Sequence, residues 1–423
     1  MKINLKSNKN LISIYLILFF VINLLFINKF PYIHSDEAWL SGLTRNMLNQ
    51  NTINPNYSFF NLYPTANHTM KLIFNSLQSI FINFFGYKVF SVRLLSLVFS
   101  TLSIFIFYKI TNVLNENKKT NILFTILFSL NQQFIMTSHM ARQDILILFL
   151  MLLSIYFLII DKNNIFKISL IIFIGLGIHP NIFFIGFGSL IIYLYRLFNK
   201  KIKLNSFIKF IFFNISTISF YLITSFMINN NFFKNFLNYG KKLGVIDSLL
   251  KKLINFYYFY YKIFHQISGT YLILNNKIYL SILFLLISII IYFIYKNKLK
   301  SLEIEIFLYF LSINLAIILL GRYNQTSIIF PIIFIYLFLI IIFNKFKFTK
   351  KFKIYLLITL ISFNFILTYN TINKYTYNED YKSFLDEFNV IKENNSKILG
   401  NLNLEYKFKN RLLDFRNLDY LKE

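Results

Sequence analysis

Apolar residues run along this chain in blocks, most closed by a short polar stretch. A membrane-spanning helix needs roughly 20 predominantly apolar residues. About eleven blocks read as spans: 11–29, 89–108, 121–138, 144–160, 166–179, 181–198, 207–228, 277–295, 304–321, 325–344 and 354–370. The block 166–179 is short and runs into His179-Pro180, so it is expected to tilt or to pack inside the bundle. Three segments break the rhythm. Residues 30–88 form a long first loop, in which Ser35-Asp36-Glu37 opens a helix through Gln50. Trp39, Leu40, Leu43 and Met47 give that helix an apolar stripe at helical spacing, as in an interfacial helix. A second such helix is expected over 70–84. Residues 229–276 mix Lys241, Lys242, Lys251 and Lys252 with Phe and Tyr, which again reads as interfacial helix. Residues 371–423 are polar, with segments such as Lys397–Phe408 that alternate, and predict a small αβ appendage. The expected fold is therefore an all-α polytopic membrane protein, with a spanning domain over 1–370 and an appendage over 371–423.

Composition agrees. The chain is 56% hydrophobic and only 14% charged, which excludes an ordinary soluble domain. A formal charge of +27 raises a nucleic-acid partner, but the lysines form no single patch. They fill the short segments 1–10, 109–120, 161–165, 199–206, 296–303 and 345–353. These segments share one side if the spans alternate, and short lysine-rich loops face the cytoplasm. The N-terminus is then cytoplasmic and the C-terminus outside. Lys2, Lys6 and Lys9 precede the apolar run without a small-residue cleavage site after it, which predicts an uncleaved first helix rather than a signal peptide. Cysteine is absent, so disulfides and thiolate metal sites are excluded. The excess of Lys, Asn, Ile and Phe over Ala, Gly and Pro resembles an AT-rich genome and points to a bacterial plasma membrane.

On this topology His34, Asp36, Glu37, His68, Arg93, His139, Arg142, Asp144, His179 and Arg322 all reach the outer side. Ionisable groups near lipid are expensive and usually functional, so an active site is expected there. Asp36 and Glu37 admit two readings. They suit the first turn of a helix capped by Ser35, where acids match the dipole. They also suit a general base held at the headgroup level, within reach of a hydroxyl. Arg142 opposes the dipole of the helix that Asp144 opens, so it needs an anion, either Asp144 or a ligand phosphate. Arg93 and Arg322 are anchors at helix ends or phosphate ligands, and His179 is a packed histidine or a substrate ligand. His34, Asp36, His68 and His139 are proper ligand types for a divalent metal, although their spacing is not diagnostic.

Taken in order, these residues resemble the polyprenyl-phosphate-dependent glycosyltransferases of the protein O-mannosyltransferase and aminoarabinose transferase superfamily (family 39-like), which have the GT-C fold. The resemblance rests on His34-Ser35-Asp36-Glu37-Ala38-Trp39, Ser91-Val92-Arg93-Leu94-Leu95-Ser96, Met140-Ala141-Arg142-Gln143-Asp144, Gly175 to Pro180, and Arg322-Tyr323 before Pro331. It covers residues 10–200 well and the later spans more loosely. Many relatives carry a lysine where this chain has His179-Pro180. The resemblance implies a sugar transfer with inversion from a polyprenyl-phosphate donor to a lipid, glycan or protein acceptor on the outer face. It casts Asp36 as the base, with Glu37 and Asp144 as supporting acids. Arg93, Arg142 and Arg322 would hold the donor phosphate, and Tyr323, His139 and His179 would line the substrate. It implies no cofactor beyond the divalent metal left open above. A transporter or flippase for a lipid-linked or anionic solute would also place charges at helix ends, but such proteins often show internal repeats and a midplane site. A lipid-linked glycan polymerase or ligase would need arginines but little from an acidic pair after the first span.

Overall fold

A computed structural model describes residues 5–53, 71–242, 244–267, 274–321, 323–346, 348–376, 381–390, 398–409 and 412–414. Every apolar block becomes helix. α1 (Leu5–Phe26) leads into the two helices of the first loop, α2 (Ser35–Asn49) and α3 (Leu72–Phe85), and then α4 (Val89–Leu114). The block 121–138 is two helices, α5 (Lys118–Ser129) and α6 (Gln132–Ser138). Asn131 divides them: its side chain accepts from the Phe134 N–H at 3.1 Å, capping α6, and donates to the Tyr336 hydroxyl at 2.8 Å. Next come α7 (Asp144–Ile160), α8 (Ile165–Leu176), α9 (Ile182–Phe198) and α10 (Leu204–Ile228). The loop 229–276 carries α11 (Phe232–Lys242) and α12 (Leu249–His265), as its pattern predicted. After α13 (Lys277–Tyr295) and α14 (Ser301–Leu320), the tenth block starts as a 3-10 turn at Gln325–Ile328. It continues through α15 (Ile329–Ile332) and α16 (Phe334–Lys345). α17 (Lys350–Tyr375) runs past residue 371, so the appendage begins later than expected.

Six of these units are long and apolar enough to cross a bilayer: α4, α10, α13, α14, Gln325–Lys345 and α17. Residues Asn10–Phe26 of α1, with α7, α8 and α9, are shorter apolar helices beside them. Burial sorts them. Of the apolar window of Gln325–Lys345, 94% is buried, against 6% for α10. The first is the centre of the bundle and the second is rim, where Phe212, Phe220 and Met227 face outwards. The centre is aromatic. Phe107 stacks on Phe128 at 4.4 Å, Phe128 meets Phe134 at 4.6 Å, and Tyr336 stands edge-on to both Phe107 and Phe128. Rings bury much area in few rotors, and they join α4, α5, α6 and α16 here.

The two ends of the bundle differ. At the lysine-rich end the buried Arg196 of α9 donates to Glu305 of α14 at 2.6 Å. It also donates to the carbonyls of Leu158 at 2.5 Å and Lys162 at 3.1 Å. Lys345 pairs with Glu303 at 2.6 Å. These bonds fix the ends of α7, α9, α14 and α16 together. The opposite end holds the starts of α2, α4 and α7 and the turn 323–326. The appendage lies there too. Its described parts are α18 (Tyr381–Asp386), β1 (Ile398–Gly400), α19 (Glu405–Phe408), β2 (Leu412–Asp414) and the 3-10 turns Glu387–Val390 and Leu402–Leu404. The strands pair in parallel, Ile398 opposite Leu412. Leu402, Phe408 and Leu412 share an apolar cluster with Ile33, Ala38 and Val92, which seats the appendage on α2.

Candidate active site

The site grows from the start of α2. His34, not Ser35, is the cap: its Nδ1 accepts from the Asp36 N–H at 3.0 Å. That bond leaves the ring proton on Nε2. Glu37 closes the capping box by accepting from the His34 N–H at 3.0 Å. The two acids then part company. Neighbouring residues on a helix point about 100° apart. Glu37 points into the bundle and Asp36 points along its surface.

Glu37 is saturated. Its Oε2 accepts from Arg93 Nε at 2.8 Å and from the Ala141 N–H at 2.8 Å. Its Oε1 accepts from Arg93 Nη2 at 2.8 Å and from the His34 N–H. Arg93 is equally consumed. Beyond Glu37 it donates Nη1 to the carbonyls of Ile27 and Phe30, both at 3.1 Å, and Nη2 to Pro31 at 3.0 Å. All five N–H donors of the guanidinium are thus engaged, and the side chain is 0% exposed. The expectation that Arg93 holds a donor phosphate is corrected accordingly: its donors tie the end of α1, the start of α2 and the start of α4 into one corner.

Asp36 stands differently. Its side chain is 31% exposed, against 1% for Glu37 and 6% for Asp144, so it is the most accessible of the three acids. Its Oδ2 accepts from Arg142 Nη1 at 2.5 Å. The same guanidinium donates Nε to Asp144 Oδ2 at 3.0 Å. Asp144 is the first residue of α7, where an acid complements the helix dipole. Its Oδ1 accepts from the Thr326 hydroxyl at 3.3 Å. One cation therefore bridges two carboxylates drawn from α2 and α7, and the later turn closes on the second. Arg142 finds Asp144, one of the two anions its position called for, and Asp36 besides.

The remaining candidates divide. His139 is 1% exposed, with Nδ1 2.9 Å from the Ile135 carbonyl, Nε2 3.0 Å from the Asn23 carbonyl, and Phe30 edge-on at 5.5 Å. Both ring nitrogens are spent inside the protein, which corrects its expected place on the substrate. His179 accepts on Nδ1 from the Asn181 N–H at 3.0 Å and shapes the turn between α8 and α9. The Gly177 carbonyl in that turn accepts from the Ile73 N–H at 2.9 Å. A Cβ on Gly177 would stand 2.5 Å from Ile73 Cγ1, so only glycine lets α3 sit there. Tyr323 donates its hydroxyl to the Lys252 carbonyl, which ties the turn to α12, and burial pushes its phenol up to about 12. Arg322 and His68 lie outside the described residues. Among the described residues no three His, Asp or Glu side chains converge as a metal site would require. His34 is 3.9 Å from Asp36 Oδ1, whereas the ring of His139 is taken up by carbonyls.

Two contributors were missed. Lys71 is buried with its ammonium 4.5 Å from the Trp39 ring centroid, a cation–π contact beside the acidic turn. The signal was present, since a lysine in the first loop departs from the lysine-rich side just as Arg93 and Arg322 do. Thr326 had no signal, because a threonine at a helix start is ordinary.

No protein-family model matches the chain, and no curated protein resembles it in sequence. Among solved structures, the chain is similar to ArnT from Cupriavidus metallidurans bound to undecaprenyl phosphate. The TM-score is 0.50 and the identity 10%, over 80% of this chain and 60% of that one. The chain thus spans about 60% of the neighbour's length. At that identity the likeness speaks for architecture, and the chain has a GT-C-like membrane fold.

Proposed function

We propose that the chain is a membrane glycosyltransferase that takes a sugar from a polyprenyl-phosphate donor and passes it to a lipid, glycan or protein acceptor at the outer face. One observation carries the reading: Asp36, the exposed acid of the acidic turn, is bonded to Arg142 at one end of a GT-C-like bundle. The solved neighbour binds undecaprenyl phosphate, which supports a polyprenyl-phosphate donor here. In the proposed step Asp36 takes the proton from the acceptor O–H or N–H. The acceptor atom attacks the anomeric carbon from the face opposite the phosphate. The anomeric C–O bond breaks, its electron pair leaves with the polyprenyl phosphate, and the configuration inverts. Negative charge grows on the leaving phosphate, so a cation already in place lowers the barrier. Arg142 and Arg322 are the arginines assigned to it. Glu37 and Arg93 take no part in bond making and hold the loop that carries Asp36. The lysine-rich end faces the cytoplasm.

The test is transfer from a panel of radiolabelled polyprenyl-phosphate sugars by purified protein in lipid, with Asp36→Asn alongside. Product that forms with the native chain and disappears with Asp36→Asn establishes the reaction and names the donor. Wild-type turnover by the variant would sink the base assignment. No transfer from any donor, together with lipid scrambling that survives the substitution, would favour the transporter.

A further inference from the structure

Glu37, Ser41 and Arg45 recur every four residues and form one stripe along α2. The first bonds Arg93. The other two bond the C-terminal appendage, about 360 residues away in sequence. Ser41 Oγ lies 3.1 Å from the Tyr406 hydroxyl and 3.1 Å from the Tyr87 hydroxyl. Tyr87 and Tyr406 stack at 5.2 Å. The Arg45 guanidinium sits 5.1 Å from the Tyr87 ring centroid and pairs with Glu405, and the two side chains are 5% and 0% exposed. A buried pair of this kind gives less stability than apolar packing of the same volume, and its best-attested use is to fix one arrangement.

We propose that Glu405 and Tyr406 are positioning residues that set the roll of α2 and so hold Asp36 against Arg142. The proposal rests on the glycosyltransferase reading for its consequence in activity, though not for the geometry. Glu37 pins α2 near one end and Thr44 bonds Gln78 of α3 at 2.7 Å on another face, while Ser41 and Arg45 tie the two turns after Glu37 to the appendage on the Glu37 face. A side-chain tip lies about 5–6 Å from the helix axis, so a roll of about 10° carries the Asp36 carboxylate by about 1 Å. A misplacement of that size can cost about 100-fold in rate.

Trp39 is the sole tryptophan of the chain and lies on α2, between Asp36 and Ser41. Its emission therefore reports the seating of α2 without reference to catalysis. The experiment compares the full-length native chain with Glu405→Leu, Glu405→Gln and Tyr406→Phe in lipid, reading Trp39 emission, acrylamide quenching, kcat and donor KM. Expected for Glu405→Leu are a shifted emission, more quenching, and a kcat lower by about 100-fold with donor KM nearly unchanged. Glu405→Gln keeps a hydrogen bond to Arg45 and recovers most of both signals. Tyr406→Phe keeps the ring stack and gives a smaller change in the same direction. If Glu405→Leu does not fold, Arg45→Met combined with Glu405→Leu replaces it, since that pair leaves no charge stranded. Unmoved Trp39 emission in the charge-removing variant overturns the proposal whatever the activity does. Shifted emission with native kcat overturns the link to Asp36. Should the native chain transfer no sugar, the glycosyltransferase reading falls, and Trp39 still decides whether the appendage seats α2.

Discussion

Glu37→Gln separates the roles of two adjacent acids. Glutamine keeps the shape of glutamate and removes its charge. Each Glu37 oxygen accepts two N–H groups: Arg93 Nε and Ala141 N on one side, Arg93 Nη2 and His34 N on the other. A glutamine has one acceptor oxygen and one NH2. Whichever way it turns, the NH2 meets two donors. Arg93, with no exposed side-chain surface, is left without its counter-charge. Breaking a buried pair by removing one partner costs about 3–5 kcal/mol. At about 1.4 kcal/mol per decade, the folded-to-unfolded ratio falls by roughly 100- to 4,000-fold. Reversible unfolding in bicelles, followed by Trp39 fluorescence, measures this directly. Combining Arg93→Met with Glu37→Leu should recover much of the loss, because neither charge is then stranded. A Glu37→Gln protein with native stability and no transfer would make Glu37 a reacting group and refute the division drawn here.

Arg142→Ala should weaken binding of polyprenyl phosphate by tenfold or more, on the order of a charge-assisted hydrogen bond. Unchanged affinity in equilibrium binding would leave Arg142 as a strut between Asp36 and Asp144. Gly188→Ala sets a Cβ 3.0 Å from the Tyr309 ring, whose hydroxyl is held by Ser154 at 2.7 Å. The overpacking should cost about 1–3 kcal/mol, and native stability in the same unfolding assay would show that the ring yields freely. Burial pushes the Glu405 carboxyl up to about 8, against the pull of Arg45 and Lys409, with Tyr406 and Tyr87 alongside. The folded protein holds this proton more tightly than the unfolded chain, whose value is near 4.5. Its contribution to stability is whole below that value and is lost as the pH rises to about 8. Seating of the appendage, read by Trp39, should weaken over that window, and Glu405→Gln should flatten the profile.

The helices were legible because a bilayer imposes one demand on each block, that every backbone group be bonded within it. Apolar length then locates α10, α13 and α14 to within about three residues, while α4 runs on to Leu114, past the expected end of its block. The same pattern placed α2 and α12 outside the spans. It missed the break at Asn131-Gln132-Gln133, since three amides weigh little against the apolar runs on either side of them. The shift in where α17 ends is tertiary: Asn364 and Thr368 bond the carbonyls of Leu127 and Leu130, and Thr371, past the expected end, bonds the Gln132 side chain at 2.8 Å.

The sequence by itself determined that ionisable residues rare in this chain gather at one end of the bundle. It also determined that an acidic pair opens α2 and that Arg142 needs an anion. Which acid is accessible was decided only in three dimensions. Asp36 and Glu37 are neighbours with nearly identical chemistry. They differ because a turn of about 100° aims Glu37 at Arg93 inside and leaves Asp36 partly exposed against the buried Arg142. Arg93 read in sequence as a helix-end anchor or a phosphate ligand, and its use is set by Glu37 and by three carbonyls just after α1. The Arg45–Glu405 contact joins positions whose separation carries no local signal. Periodicity and length are properties of a segment. Partnership between side chains is a property of the packed bundle, and it alone decided which of these charged groups are enclosed and which stay accessible.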